Sequence, residues 1–160
     1  MNDKQPKLIV MSGVPGSGKT TVSEGYVNSG VADLVLSRDD IRTELFGFKY
    51  HSSQPDKDCE KLVTETLHSR LGDACSKGLN VIYDATNIGK GVDNRVIKIA
   101  KSYGYSVERV LVKVSLGTAL ARNRMRGASG GRRVPDSVIQ AMYERLNNSG
   151  VKFNLVVEND

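Results

Sequence analysis

The octet Gly13-Val14-Pro15-Gly16-Ser17-Gly18-Lys19-Thr20 satisfies the pattern G-x-x-x-x-G-K-[ST] in full. Glycines let the backbone wrap tightly enough for successive N–H groups to face phosphate oxygens, and a helix starting there adds its positive end. In this pattern Lys19 reaches the β- and γ-phosphates of a nucleotide, and the Thr20 hydroxyl is a ligand for Mg²⁺. Gly13, Pro15, Gly16, Ser17, Gly18 and Thr21 complete the residues expected to hold ATP.

Two acidic positions could work beside such a cradle. Ser37-Arg38-Asp39-Asp40-Ile41-Arg42 closes a short apolar run, so Asp39 faces the same crevice and can take a proton from an attacking hydroxyl. Asp40, the next residue, points elsewhere and suits the charge of a helix N-terminus. Arg42 shares a helical turn with Asp39 and can grip an acceptor phosphate. The bland reading is an N-capping Asp beside a solvated Arg. A third run ends Tyr83-Asp84-Ala85-Thr86-Asn87. There Asp84 can hold a water on Mg²⁺, as Asp39 also can, or orient Arg42, and Thr86 and Asn87 add polar groups for the acceptor. An Asx turn is the plain alternative.

Cationic chemistry concentrates in residues 122–133, which carry Arg122, Arg124, Arg126, Arg132 and Arg133 and no acidic residue. With Gly127, Gly130 and Gly131 in its middle, this stretch reads as a glycine-hinged lid over a triphosphate. Arginines in such a place neutralise charge developing on a transferred phosphoryl group. Arg122 and Arg126, four apart, share a helix face, and Arg124 points away. Arg132 and Arg133 suit nonspecific phosphate binding equally well.

These groups need a scaffold that brings them to one edge. Leu8-Ile9-Val10-Met11, Leu34-Val35-Leu36, Val81-Ile82-Tyr83, Val110-Leu111-Val112 (on to Val114) and Leu155-Val156-Val157 have the unbroken apolar character of strands buried on both faces. Val63, Leu67, Leu71 and Ala74 recur at helical spacing, as do Val92, Val96, Ala100 and Tyr103. Ala119 and Leu120, on to Met125, form another helix, and Pro135 opens one carrying Val138, Met142 and Leu146. Gly78 and Gly104 stand where helices should stop. The alternation predicts one α/β domain over residues 1–160, a three-layer sandwich of a parallel sheet of about five strands with helices on both faces. Ligands of such folds gather at the carboxyl ends of the strands.

Composition narrows the field. The 160 residues suffice for one domain that buries about 70% of its unfolded surface. The apolar runs are too short to cross a bilayer, and the first seven residues have no signal-peptide character. Two cysteines, Cys59 and Cys75, without C-x-x-C or clustered histidine, predict neither a disulfide scaffold nor a zinc site, and a cytoplasmic protein. The net charge of +5 hints at a polyanionic partner. His51 and His68 read as a loop and a helix-surface residue, and Phe48 and Tyr50 as loop aromatics covering the core rather than stacking on a base.

The sequence resembles the kinase domain of the bacteriophage 5′-polynucleotide kinases, within the wider group of small P-loop kinases. The shared blocks are residues 13–20, the R-D-D-x-R segment 38–42, the D-x-T-N segment 84–87, and Arg122-Asn123 with Arg126-Gly127 and Val134-Pro135. The resemblance implies a P-loop kinase fold, ATP and Mg²⁺ on Lys19 and Thr20, Asp39 as general base, and Arg42 on the acceptor's phosphate. It further implies Asp84 supporting the catalytic pair, Arg126 on the β/γ-phosphates and Arg122 against the nucleotide base. The resemblance covers the kinase half alone, so a phosphatase activity is not expected from these residues, and residues 46–58 share no likeness. Phage kinases that phosphorylate 5-hydroxymethyluracil in DNA are related, and the chain fits that group too.

The expected function is phosphoryl transfer from ATP to a nucleic-acid hydroxyl, first a 5′-hydroxyl end of DNA or RNA, second a modified base. A small-molecule kinase and an ATP-gated nucleic-acid binding module are the alternatives. A regulatory GTPase lacks N-K-x-D here, and a motor ATPase would want a carboxylate where Ala85 stands.

Overall fold

The computed structural model describes residues 5–47, 50, 56–85, 92–130 and 133–160. Thr86, Asn87, Phe48, His51, Gly131 and Arg132 lie outside them, as do the expectations placed on those residues. Within the described residues the chain runs β1 (Lys7–Ser12), α1 (Lys19–Asn28), β2 (Leu34–Ser37), α2 (Arg38–Phe46), α3 (Lys57–Ser76) and β3 (Val81–Ala85). It continues through α4 (Val92–Ser102), β4 (Ser106–Lys113), α5 (Leu116–Ala128), α6 (Asp136–Asn147) and β5 (Leu155–Glu158).

Strand β1 explains the layers. Its residues are apolar on both sides, and alternation sends Leu8 and Val10 to one face and Ile9 and Met11 to the other. The first face packs on Ile41 of α2, on Val63, Leu67, Leu71 and Ala74 of α3, and on Val96 and Ala100 of α4. The second packs on Val22, Tyr26 and Val27 of α1. A third cluster, Val14 and Val114 with Ala119 of α5 and Ile139 of α6, seats the last two helices against the loops that leave β1 and β4.

All strand pairs are parallel, in the order β2-β3-β1-β4-β5. The chain leaves β1 for β2, returns to fill the gap with β3, then crosses to β4. The crevice beyond β1 is therefore the point where the connections diverge, where open α/β sheets bind ligands. The register puts Ser37, Asp84 and Met11 side by side. Segments 13–20, 38–42 and 84–85 thus leave the sheet at one edge.

Local differences from the sequence expectation have simple causes. Strand β4 starts at Ser106, four residues before the apolar run, because Ser106–Arg109 pair with β1 although Ser106 is exposed and the next three residues are only half-buried. Tyr103 lies past the end of α4 and is 49% exposed; Gly104, at φ 83°, turns the chain so that Tyr105 takes the buried place. Pro135 is the N-cap of α6 rather than its first residue, and fully buried Ile139 leads that helix's inner face. His68 is half-buried on α3, not a surface residue, and its Nε2 is enclosed without a hydrogen-bond partner. Burial, then the charges of Arg95 and Arg38, hold its pKa below the usual imidazole range.

Candidate active site

The loop between β1 and α1 is wound too tightly for side chains at its glycines. Gly16 and Gly18 adopt φ of 87° and 90°, where L residues are strained. A Cβ on Gly13 would lie 2.6 Å from Ser17 Oγ and 2.9 Å from the Val112 carbonyl; one on Gly16 would strike the Ala119 carbonyl of α5. Pro15 is half-buried between them. Ser17 Oγ is buried with no hydrogen-bond partner, a polar atom enclosed by the loop. Lys19 opens α1 with its side chain 8% exposed and places Nζ 2.5 Å from Asp84 Oδ1. Thr20 and Thr21 follow, exposed on the first turn. A tight glycine turn, an enclosed hydroxyl, a helix N-terminus and a lysine held on a carboxylate together fit a nucleotide triphosphate.

On the β2 side, Ser37 rather than Asp39 caps α2, its Oγ accepting from the Asp40 N–H at 3.3 Å. Asp39 therefore sits in the first helical turn, not at a strand end. Its carboxylate, 41% exposed, accepts from Arg42 Nη1 at 2.7 Å. Asp40 is exposed on the same turn. Desolvation, then repulsion from Asp84, Asp39 and Glu44, raises its pKa above the usual carboxylate range.

The remaining partner of Arg42 is one the sequence reading missed. Glu60, in the first turns of α3, accepts from Arg42 Nε at 3.0 and 3.1 Å and from Nη2 at 2.7 Å. It also accepts from Tyr50 Oη at 2.7 Å and from Arg38 Nη2 at 3.4 Å, and Arg38 is anchored on Thr64 Oγ1 at 2.9 Å. The Arg42 hydrogen bonds, with help from Tyr50 and the charges of Arg42 and Arg38, outweigh burial and pull the Glu60 pKa down to about 2. Burial opposes the charge of Arg42, yet Glu60 and Asp39 more than offset it and its pKa is raised. Glu60 thus orients Arg42, a role the sequence offered Asp84 as an alternative to holding a water on Mg²⁺, and Asp84 holds Lys19. Tyr50 tilts against Phe46, ring centroids 5.3 Å apart.

The arginine segment divides by partner. Arg122 lies across the phosphate loop, Nη1 at 3.4 Å from the Gly16 carbonyl and 3.5 Å from that of Ser17, and Nη2 at 2.7 Å from the Asn159 carbonyl. Asn159 Nδ2 donates to the same Ser17 carbonyl at 2.7 Å. These bonds use the edges of the Arg122 guanidinium, and a planar guanidinium can also stack through its face on a nucleobase. Arg126 is exposed in the last turn of α5, with Nη2 3.5 Å from Asn123 Oδ1. Arg124 and Arg133 turn to Asp136 of α6, at 2.8 and 3.6 Å. Gly127 is not the hinge its residue type suggested. It lies inside α5, where a Cβ would sit 2.8 Å from Arg133 Cβ; Gly130, at φ 83°, makes the turn. Asn123, fully buried, donates to the Val134 carbonyl at 2.6 Å and accepts its N–H at 3.0 Å. It pins the returning chain to α5.

Among the described residues no group of three or more His, Cys, Asp or Glu side chains could hold a metal ion by itself. That set leaves room for a Mg²⁺ bound mainly by phosphates and water, with Thr20 and one carboxylate. No described helix is long and apolar enough to cross a membrane.

Residues 8–148 match the family model described as an AAA domain. An L-seryl-tRNA(Sec) kinase of Methanococcus maripaludis is 25% identical over 91% of this chain and 54% of its own length. A "Putative bifunctional polynucleotide kinase/RNA ligase" of Autographa californica nuclear polyhedrosis virus is 30% identical over 75% of this chain and 18% of its own. The chain thus spans about half of the first relative and a small part of the second. The solved Pnkp1/Rnl/Hen1 RNA repair complex contains a chain that superposes with a TM-score of 0.81 at 22% identity, covering 95% of this chain and 48% of that one. The family match over residues 8–148, which includes the phosphate loop that this fold sets at the head of α1, places the chain in the AAA domain family.

Proposed function

We propose that this kinase transfers the γ-phosphoryl of ATP to a hydroxyl carried by a nucleic acid, first a 5′-hydroxyl end of DNA or RNA. The observation that carries the reading is the pair Asp39–Arg42: a carboxylate able to take a proton, held 2.7 Å from a half-buried cation. A base paired with a phosphate-gripping arginine suits an acceptor whose hydroxyl has a phosphate nearby, which a polynucleotide end has and a free nucleoside lacks. The viral relative and the RNA repair complex lend support by the names they carry.

In this reading the loop N–H groups and Lys19 cradle the β- and γ-phosphates, and Arg122 packs on the base. Thr20, with Asp39 or Asp84 by way of water, would hold Mg²⁺, which would supply neutralisation of the phosphate charge. Asp39 accepts the acceptor's O–H proton as the new O–P bond forms and the bond from the γ-phosphorus to the β-phosphate oxygen breaks, leaving ADP. Lys19 and Arg126 stabilise the charge that moves to the leaving oxygen. Arg42, with Thr86 and Asn87, receives the acceptor.

A hydroxymethyl group on a DNA base is the second reading, and the seryl hydroxyl of a charged tRNA, named in the Methanococcus relative, shares the chemistry. One assay separates them: γ-labelled ATP offered with 5′-hydroxyl DNA and RNA, 5′-blocked DNA containing 5-hydroxymethyluracil, seryl-tRNA and free nucleosides. Label on the 5′-hydroxyl ends is expected. Label confined to the blocked modified DNA, or to nucleosides, overturns the end-kinase reading. Asp39→Ala should abolish transfer and retain ATP affinity; transfer within about tenfold of native refutes Asp39 as base.

A further inference from the structure

We propose that Glu60 is a positioning residue of the transfer step, sharing Arg42 with Asp39 and so setting both the reach of Arg42 toward an acceptor phosphate and its hold on the base. The inference rests on the reading of Asp39 as base. It starts from the donors of one guanidinium. Glu60 takes the edge formed by Nε and Nη2 of Arg42, and Asp39 takes a hydrogen of Nη1. One hydrogen each on Nη1 and Nη2 remains for a phosphate. The shared edge fixes the plane of the guanidinium, so the free hydrogens have a set direction before any acceptor arrives.

Glu60 is itself held from several sides. Tyr50 Oη donates to Oε2 at 2.7 Å, Arg38 approaches Oε1 at 3.4 Å, and the side chain is 22% exposed. Arg38 and Arg42 flank Asp39 on α2, and both reach across to this carboxylate on α3. The bracket therefore ties the helix that carries the base to the next helix through the acceptor-side arginine. Charge matters as much as geometry. Two carboxylates divide one cation here. With Gln at position 60, the paired acceptor oxygens on the Nε/Nη2 edge become one oxygen and an amide donor, so Arg42 loses its set direction.

The test compares native chain, Glu60→Gln and Glu60→Asp with γ-labelled ATP and a 5′-hydroxyl oligonucleotide. If the native chain labels no oligonucleotide, the acceptor reading falls and the comparison runs on kcat alone with water as acceptor, where only the hold of Arg42 on Asp39 is read. Glu60→Gln is expected to lower kcat at least about tenfold and to raise the acceptor KM at least about threefold. ATP affinity should stay within about twofold. Glu60→Asp should recover at least about threefold of the lost kcat, because it restores the charge with a shorter reach. Glu60→Gln with kcat and acceptor KM both within about threefold of native overturns the proposal. So does a parallel loss of ATP affinity and urea midpoint in both variants, the mark of a merely structural residue.

Discussion

Replacing Asn123 by alanine removes the two hydrogen bonds that fasten the chain after the arginine segment to α5. The side chain is fully buried and serves both the N–H and the carbonyl of Val134, at 3.0 and 2.6 Å. Each neutral bond contributes about 1 kcal/mol net, and each half-buried backbone group left without a partner adds about 0.5–1 kcal/mol. The expected loss is therefore about 3 kcal/mol out of the roughly 5–15 kcal/mol typical of a domain. With a urea m-value of about 2 kcal/mol/M, the unfolding midpoint should fall by about 1.5 M. Asn123→Asp sharpens the test. It keeps the acceptor for the Val134 N–H but sets a buried carboxylate against the Val134 carbonyl, so it should cost more than alanine at neutral pH. Its folded-state pKa would be raised by burial, so the extra cost is present at high pH and disappears as pH falls and the protonated acid donates to that carbonyl. Urea titrations of the three proteins between pH 4 and about 8, followed by circular dichroism, check both points. A loss below about 1 kcal/mol for Asn123→Ala, or an Asp variant whose deficit does not shrink in acid, refutes the reasoning.

Three further outcomes follow from the same geometry. Gly16→Ala must place a Cβ against the Ala119 carbonyl at φ 87°, costing about 1–2 kcal/mol in backbone strain before any clash; nucleotide titration should show ATP binding at least about tenfold weaker. The Glu60 pKa is depressed from 4.5 to about 2, so its contribution is complete above pH 4.5 and is lost as pH falls toward 2. Linkage gives about 3 kcal/mol for that shift, about 1–2 kcal/mol after solvent screening, and urea titrations should show Glu60→Gln lacking that acid-dependent loss. Asp84→Ala leaves the enclosed ammonium of Lys19 without its 2.5 Å carboxylate and should lower the melting temperature of the ATP-free chain. Saturating ATP should then raise the variant's melting temperature more than the native chain's, and an equal rise would count against Lys19 as the phosphate contact.

The strands and the phosphate loop were legible because short-range chemistry dictates them. Leu8 to Met11 can only be buried on two faces, and Gly16 and Gly18 tolerate the left-handed turn that presents backbone N–H groups to phosphate. Asp39 and Arg42 were found as a pair because three residues is a helical neighbour distance. Helix ends were less legible. Tyr103 fitted the period of α4 but lay beyond the reversal at Gly104, and Gly127 looked like a hinge because its residue type is shared by loops and close-packed helices.

Sequence alone therefore determined the donor side of this protein: the loop, the lysine that opens α1 and the parallel sheet behind them, each set by neighbours a few residues apart. Only the tertiary structure decided who holds those groups in place. Glu60 reaches Arg42 from another helix, Asp84 reaches Lys19 because β3 fills the gap between β2 and β1, and Asn159 reaches Ser17 from across 142 positions. Spacing along a chain says nothing of such partners. Strand order and helix packing bring them together, and those follow from burying the whole core at once.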